Sequence, residues 1–303
     1  DRLGIYGHEK AQTPALDALA MDGTRFERAY ATVPLTIPSH ASMLTSLYPP
    51  RHGVHNNGDA ILPEAATTLA EILQAEGYQT AAAVSAFVTT RAWNLDQGFD
   101  AYFDDLSTPE QGQGQGRWAA ERRADSVVDD LEEWLQTVDS SQPAFLWAHF
   151  YDPHDPYAPP ESMRADFARR PYDGEIAFMD SQIGRLQKHV EARYGDNIAW
   201  ILVADHGEAI HGEHGEKTHG LYLFDPTMRI PFILRPAKGQ ESPVVVTDRA
   251  VSNVDVMTTG LGLVGIEPPE GLDGIDLSPF TRGETPDRAP VYLESENVTQ
   301  RFG

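Results

Sequence analysis

Apolar positions along the chain alternate between helical spacing and short continuous runs. Behind Thr13-Pro14, an N-cap followed by proline at the first helical position, Leu16, Leu19 and Ala20 lie on one face and Gly23 closes the helix. Residues 24–32 predict a strand, and Pro38 to Leu47 a helix starting just after Thr36. Glu64 to Ala75 predicts an amphipathic helix with Leu69, Ile72 and Leu73 on one face, followed by a small-residue strand over Gln79 to Ser85. Arg122 to Val138 and Gly174 to Tyr194 predict longer helices, the second carrying Ile176, Met179, Ile183, Leu186 and Val190 inward. Val254 to Val264 has helical spacing, weakened by its glycines. Between these segments Ala144 to Phe150, Ile198 to Ala204 and Ile230 to Leu234 are apolar runs of strand length, and Pro290 to Leu293 is strand-like. Gln111 to Gly116, alternating Gln and Gly, predicts a loop.

Strands alternate with helices, and the strand runs are continuously apolar, as expected when both faces are covered. The prediction is an α/β fold with a mainly parallel central sheet sandwiched between helices, over a single domain spanning 1–303. Ligands of such sheets sit at the carboxyl ends of strands. Asp152 and His154 follow one predicted strand, and Asp205 and His206 follow another.

Composition narrows the classes. The 303 residues are 41% apolar, enough for a real core, and no run approaches a membrane span. Asp plus Glu number 46 against 23 Lys plus Arg, a field that repels nucleic-acid phosphates. There is no cysteine, so disulfides and thiolate metal sites are excluded.

Four polar constellations carry chemistry. In Leu35-Thr36-Ile37-Pro38-Ser39-His40, Thr36 puts a hydroxyl at the mouth of a helix, where backbone N–H groups and the dipole favour a tetrahedral anion; alone, Thr36 would equally serve as an N-cap. Asp205-His206-Gly207-Glu208 puts a carboxylate and an imidazole at a strand end, able to hold one divalent ion. The stretch from His211 to Gly220 carries His211, His214, Lys217 and His219, groups that bind or neutralise anions. His149-Phe150-Tyr151-Asp152-Pro153-His154 follows an apolar strand.

Together these segments resemble the sulfatase branch of the alkaline-phosphatase superfamily. Thr36 to Ser46 is similar to the sulfatase signature Cys or Ser-x-Pro-Ser-Arg-Ala-Ser-x-Leu-Thr-Gly, and Tyr48-Pro49-Pro50-Arg51-His52-Gly53-Val54 to its usual tail. His149 to Tyr157 looks like the family's His-x-x-x-Pro-His-x-Pro-Tyr segment, and Arg229-Ile230-Pro231 like its Arg-x-Pro strand. Asn253-Val254-Asp255-Val256 resembles a later scaffold segment. There are departures. Thr36 stands where sulfatases carry a Cys or Ser converted to formylglycine, and threonine cannot be converted in that way. His40 replaces the signature Arg. Ser85-Ala86-Phe87 stands where a Lys-Trp-His is frequent.

The resemblance implies metal-dependent hydrolysis of sulfate or phosphate esters through a covalent Thr36 intermediate. It assigns Asp205, His206 and Thr36 to a divalent metal (Zn, Mn, Ca or Mg), His154 to protonating the leaving group, and Lys217 and His219 to the equatorial oxygens. The expected substrate is a small-molecule, glycan or lipid ester. Two alternatives stay open: a phosphoryl or phospho-alcohol transferase of the same superfamily, favoured by the threonine, and an inactive binding protein of the same fold. The family's first strand, which brings metal-binding acids, would lie upstream of Asp1, and a C-terminal subdomain would follow. The resemblance further implies a periplasmic or extracellular protein, with membrane association only through such outer segments.

Overall fold

Short local signals set where each element begins. In the computed structural model, which describes residues 2–107, 118, 120–210, 212, 215–239 and 244–296, α1 (Pro14–Met21) opens at the expected proline. The 24–32 strand is two pieces, β1 (Thr24–Phe26) and β2 (Ala29–Tyr30). They are followed by α2 (Thr36–Thr45) and the single turn α3 (Pro49–His52). The helix expected from Glu64 begins later, as α4 (Leu69–Ala75), because Thr68 and Glu71 form a reciprocal capping box there. Next come β3 (Gln79–Ala83), β4 (Ala101–Phe103), α5 (Ala124–Thr137), β5 (Ala144–Ala148), α6 (Glu161–Arg164) and α7 (Pro171–Tyr194). The chain continues through β6 (Trp200–Val203), α8 (Asp225–Met228), β7 (Arg229–Ile230), β8 (Phe232–Arg235), β9 (Val244–Val246), β10 (Val251–Ser252) and α9 (Val256–Leu263). The strand-like Pro290 to Leu293 forms no ladder; its neighbour Glu294 donates one backbone bond to the Thr32 carbonyl. The expectations for 111–116, His211 and His214 lie outside the described residues.

The strands assemble as β6-β8-β1-β9, β10-β2-β7 and β4-β3-β5. The last ladder is parallel throughout, pairing Gln79 with Ala144 and Ala81 with Ala101. The other two mix directions: β1 runs parallel to β9 but antiparallel to β8, and β6 runs antiparallel to β8. Helices cover the faces. Val127, Leu131 and Leu135 of α5 pack with Leu186 and Val190 of α7 against β3 and β5.

One relationship departs from the expectation of fully buried strands. β5 and β6 are both edge strands, and every residue of each is only half-buried. Both nevertheless pack on the same α5–α7 cluster. A cavity of about 1530 Å³ runs along them, floored by apolar α7 side chains such as Ile176, Ile183 and Leu186. It reaches His149 and His154 beyond β5 and Asp205 and His206 beyond β6. No helix among the described residues is long and apolar enough to cross a membrane.

Candidate active site

The apolar strand β6 ends at Val203, and the chain turns polar at Asp205-His206. Gly207 makes that turn possible: a Cβ there would meet the Pro226 carbonyl oxygen at 2.2 Å, while its N–H bonds to the Thr227 carbonyl at 2.8 Å. The His206 N–H caps Asp205 Oδ1 at 2.9 Å, leaving Oδ2 to face the ring. His206 Nδ1 donates to the Gly207 carbonyl at 2.9 Å, which fixes the tautomer with its lone pair on Nε2. That nitrogen is 3.3 Å from Asp205 Oδ2 and 3.5 Å from Thr36 Oγ1.

Thr36 opens a helix that is buried along its whole length. Its hydroxyl is therefore fixed by packing rather than by capping, and Leu35, the N-cap, makes no side-chain cap bond. The helix mouth offers fewer directed donors than the sequence suggests. The Ile37 N–H bonds to Asn57 Oδ1 at 2.9 Å, Pro38 has none, and the Ser39 N–H bonds back to the Leu35 carbonyl. Asn253 ties this helix to β6. Its amide accepts from the Thr32 N–H and donates to Ser39 Oγ at 2.6 Å and to the Asp205 carbonyl at 3.1 Å, while Ser39 Oγ donates to that carbonyl too.

Imidazoles crowd the single carboxylate. His40, in the place of the signature arginine, bonds through Nδ1 to the Thr36 carbonyl at 2.8 Å and stands 4.0 Å from Asp205 Oδ2. Its ring lies 4.9 Å from that of His149. Burial would raise the Asp205 carboxyl, but the surrounding imidazoles, His206 and His40 foremost, outweigh it and hold the group well below the usual carboxylate range. Burial in turn drives His149 down to about 3, with His40 adding to the shift, so His149 is a neutral core imidazole.

His154 and His219 complete the cluster. The His219 ring is 4.2 Å from that of His206 and 5.2 Å from that of His154. His219 Nδ1 donates to Glu208 Oε2 at 3.0 Å, and Tyr157 donates to Glu208 Oε1 at 3.2 Å. His154 sits between two cis prolines, Pro153 and Pro156. It donates from Nδ1 to the Asp155 carbonyl at 2.7 Å and accepts at Nε2 from the Tyr151 hydroxyl at 2.9 Å. Burial, with His219 nearby, lowers it to about 4, so it rests neutral near pH 7 rather than as a ready acid.

The sulfatase family profile matches residues 1–266. The chain belongs to the sulfatase family. It is 26% identical to an ulvan-active sulfatase of Formosa agariphila, over 94% of this chain and 63% of that protein, and 26% identical to human arylsulfatase A, over 93% and 65%. The chain thus spans somewhat under two thirds of the length of these curated relatives. Among solved structures, a phosphonate monoester hydrolase of Agrobacterium radiobacter superposes with a TM-score of 0.74 at 23% identity, covering 95% of this chain and 75% of its own. A protein solved with its substrate D-glucosamine-2-N,6-O-disulfate superposes with a TM-score of 0.72 at 21% identity, covering 97% and 79%.

Sulfatases typically bind a divalent metal, and the donor set here fits one. Nε2 of His206, Oδ2 of Asp205 and Oγ1 of Thr36 stand 3.3 to 3.5 Å apart where measured, the spacing of neighbouring donors around an ion bound at about 2.0–2.2 Å. The set holds one carboxylate, which is few for a hard cation. Lys217 is exposed on the loop before His219. Glu208, Tyr151, Tyr157 and Asn253 were not singled out as site residues by sequence, though Glu208 directly follows the Asp-His-Gly turn.

Proposed function

We propose that this domain hydrolyses sulfate or phosphate esters, with sugar esters the favoured class, through a covalent ester on Thr36. The observation that carries the proposal is the buried Thr36 hydroxyl 3.5 Å from the lone pair of His206, beside Asp205. A divalent ion held by Asp205, His206 and the Thr36 oxygen would supply Lewis acidity, lowering the hydroxyl pKa and polarising the ester. Thr36 Oγ1, its proton released to solvent as the ion binds, would form the new bond to sulfur or phosphorus as the bond to the leaving alkoxide breaks in line. His154 gives the alkoxide its proton from Nε2, once substrate has displaced the Tyr151 hydroxyl and its negative charge has offset the burial that keeps the ring neutral. His219, steadied by Glu208, faces the equatorial oxygens, and Lys217 reaches them only from the rim. Water then releases the group from Thr36.

Two features support sugar esters and leave sulfur against phosphorus to the test. Relatives act on ulvan, one structural neighbour holds a sulfated glucosamine, and another is named for phosphonate monoesters. Incubation of the full-length protein with aryl sulfates and aryl phosphates, followed by mass spectrometry of the Thr36 peptide, tests both points. A sulfate or phosphate adduct on Thr36 is expected, and an unmodified Thr36 during turnover would reject the intermediate. We further propose that the slot between β5 and β6 receives one strand from a segment upstream of Asp1, bringing acids to the His149–Asp205 end, and that the enzyme works in the periplasm or outside the cell.

A further inference from the structure

A second cluster of ligating side chains stands apart from Asp205 and His206. His55 Nδ1 lies 2.6 Å from Glu294 Oε1 and 3.5 Å from Glu296 Oε1, and the three ligating atoms all fall within 4.8 Å of one another. Glu294 is buried at 8% exposure, and the Tyr292 hydroxyl donates to its other oxygen at 2.8 Å, aiming Oε1 at His55. Tyr292 is itself held by Tyr48, whose hydroxyl accepts its N–H at 3.2 Å and whose ring packs on it at 5.4 Å. Glu296 is exposed and leaves the cluster open to solvent.

We propose that His55, Glu294 and Glu296 form a second divalent-cation site that takes Zn²⁺ or Mn²⁺. One imidazole nitrogen with two carboxylate oxygens is a donor set for borderline ions, and the oriented buried carboxylate supplies the outer support such sites need. The His55–Glu296 spacing already suits two donors sharing an ion. The shorter His55–Glu294 contact is that of a shared proton, and an ion bound at about 2.0–2.2 Å would replace the proton and part these two atoms by roughly 1 Å.

The cluster has a structural purpose in this position. Glu294 donates its N–H to the Thr32 carbonyl at 3.0 Å. Two residues beyond His55, Asn57 accepts the Ile37 N–H at 2.9 Å. An ion joining His55 to Glu294 would tie together the two segments that grip the Thr32–Ile37 stretch from either side. It would act as a clamp on the start of α2 without touching the reacting atoms.

Calorimetric titration of the full-length protein with Zn²⁺ and with Mn²⁺ tests this. The Asp205→Asn variant, with the reaction site disabled, should still bind one ion per chain and gain thermal stability from it. Adding His55→Gln should weaken that binding by a factor of about 30 or more, and adding Glu296→Gln, at an exposed position, by about tenfold. Asp205→Asn binding no ion, or binding it equally well with Glu296→Gln and His55→Gln added, would overturn the proposal. If His55→Gln does not fold, the Glu296→Gln comparison decides alone.

Discussion

His206 Nε2 faces the Thr36 hydroxyl at 3.5 Å because the other ring nitrogen is tied to the Gly207 carbonyl at 2.9 Å. The pairing joins a strand end to a helix start that are 170 residues apart in sequence. It depends on the backbone turn after β6, which only glycine fits. Gly207→Ala should therefore lower activity of the full-length protein by about 10²-fold, since small misplacements at a reacting centre cost that much. Zn²⁺ affinity should fall in parallel. Unchanged activity and affinity would mean that the turn is not what aims His206.

Thr36 and Asp205 are separable. Thr36→Ala should remove turnover, a loss of about 10³-fold or more, with metal affinity largely retained because at most one donor is lost. Asp205→Ala should lose turnover and the ion at the Asp205 site together. Steady-state rates and metal titration on the two variants check this, and wild-type rates for Thr36→Ala would reduce Thr36 to part of a helix start.

Glu208 acts through His219. Its carboxylate takes the Nδ1 proton of that ring and so turns Nε2 toward the cluster. Glu208→Gln should cost about 10- to 100-fold in kcat, with a smaller change in KM, since loss of an orienting partner disturbs the ring more than the binding surface. A fall confined to KM would place Glu208 in substrate binding instead.

The architecture and the convergence of Thr36, His154, Asp205 and His206 were legible in the sequence for a simple reason: strand ends and helix starts are marked by local patterns. Thr13-Pro14, the apolar run before Asp205 and the α5 and α7 stripes each need only a short window. The supporting shell was not legible. Asn253 meets Ser39 over 214 residues and Tyr157 meets Glu208 over 51, contacts that no periodicity announces. Burial also lowers His154 to about 4, a shift that no local pattern around Pro153 and Pro156 announces. Lys217 came from the loop's resemblance to the family's, and its side chain is exposed.

Three acids near His154, Glu175 buried and Glu121 and Asp152 half-buried, make stability depend on pH. Burial raises Glu121 and Asp152 to about 7 and Glu175 to about 8, with repulsion from neighbouring carboxylates adding to each shift. The folded state therefore holds protons that the unfolded chain releases near its ordinary carboxylate pKa of about 4. Their contribution is full below that value and is lost as pH rises through about 7 to 8. Urea unfolding should show stability falling between about pH 5 and 8, and Glu175→Gln should flatten the fall and gain stability at the alkaline end. An equal slope in the variant would assign the dependence to other groups.

The slot between β5 and β6 fits one further strand. Among the described residues both strands have one ladder partner and one open edge, and an apolar floor of α7 side chains lies beneath the gap. A strand of five or six residues lying there would form on the order of ten ladder bonds, each contributing about 1 kcal/mol net. It would also cover the half-buried Leu146 and Leu202 and end beside His149 and Asp205. There the imidazoles around Asp205 add little of the negative charge that strengthens the hold on a divalent ion. Residues 1–303 expressed alone should therefore bind Zn²⁺ and Mn²⁺ weakly at the Asp205 site, hydrolyse aryl esters poorly and aggregate through the open edges. A chain extended upstream by one strand should recover affinity, turnover and solubility together. The Glu296→Gln change in both chains separates the clamp site from this one. Equal, tight binding at the Asp205 site with and without the extension would show that further acids are not needed and that the slot has another occupant.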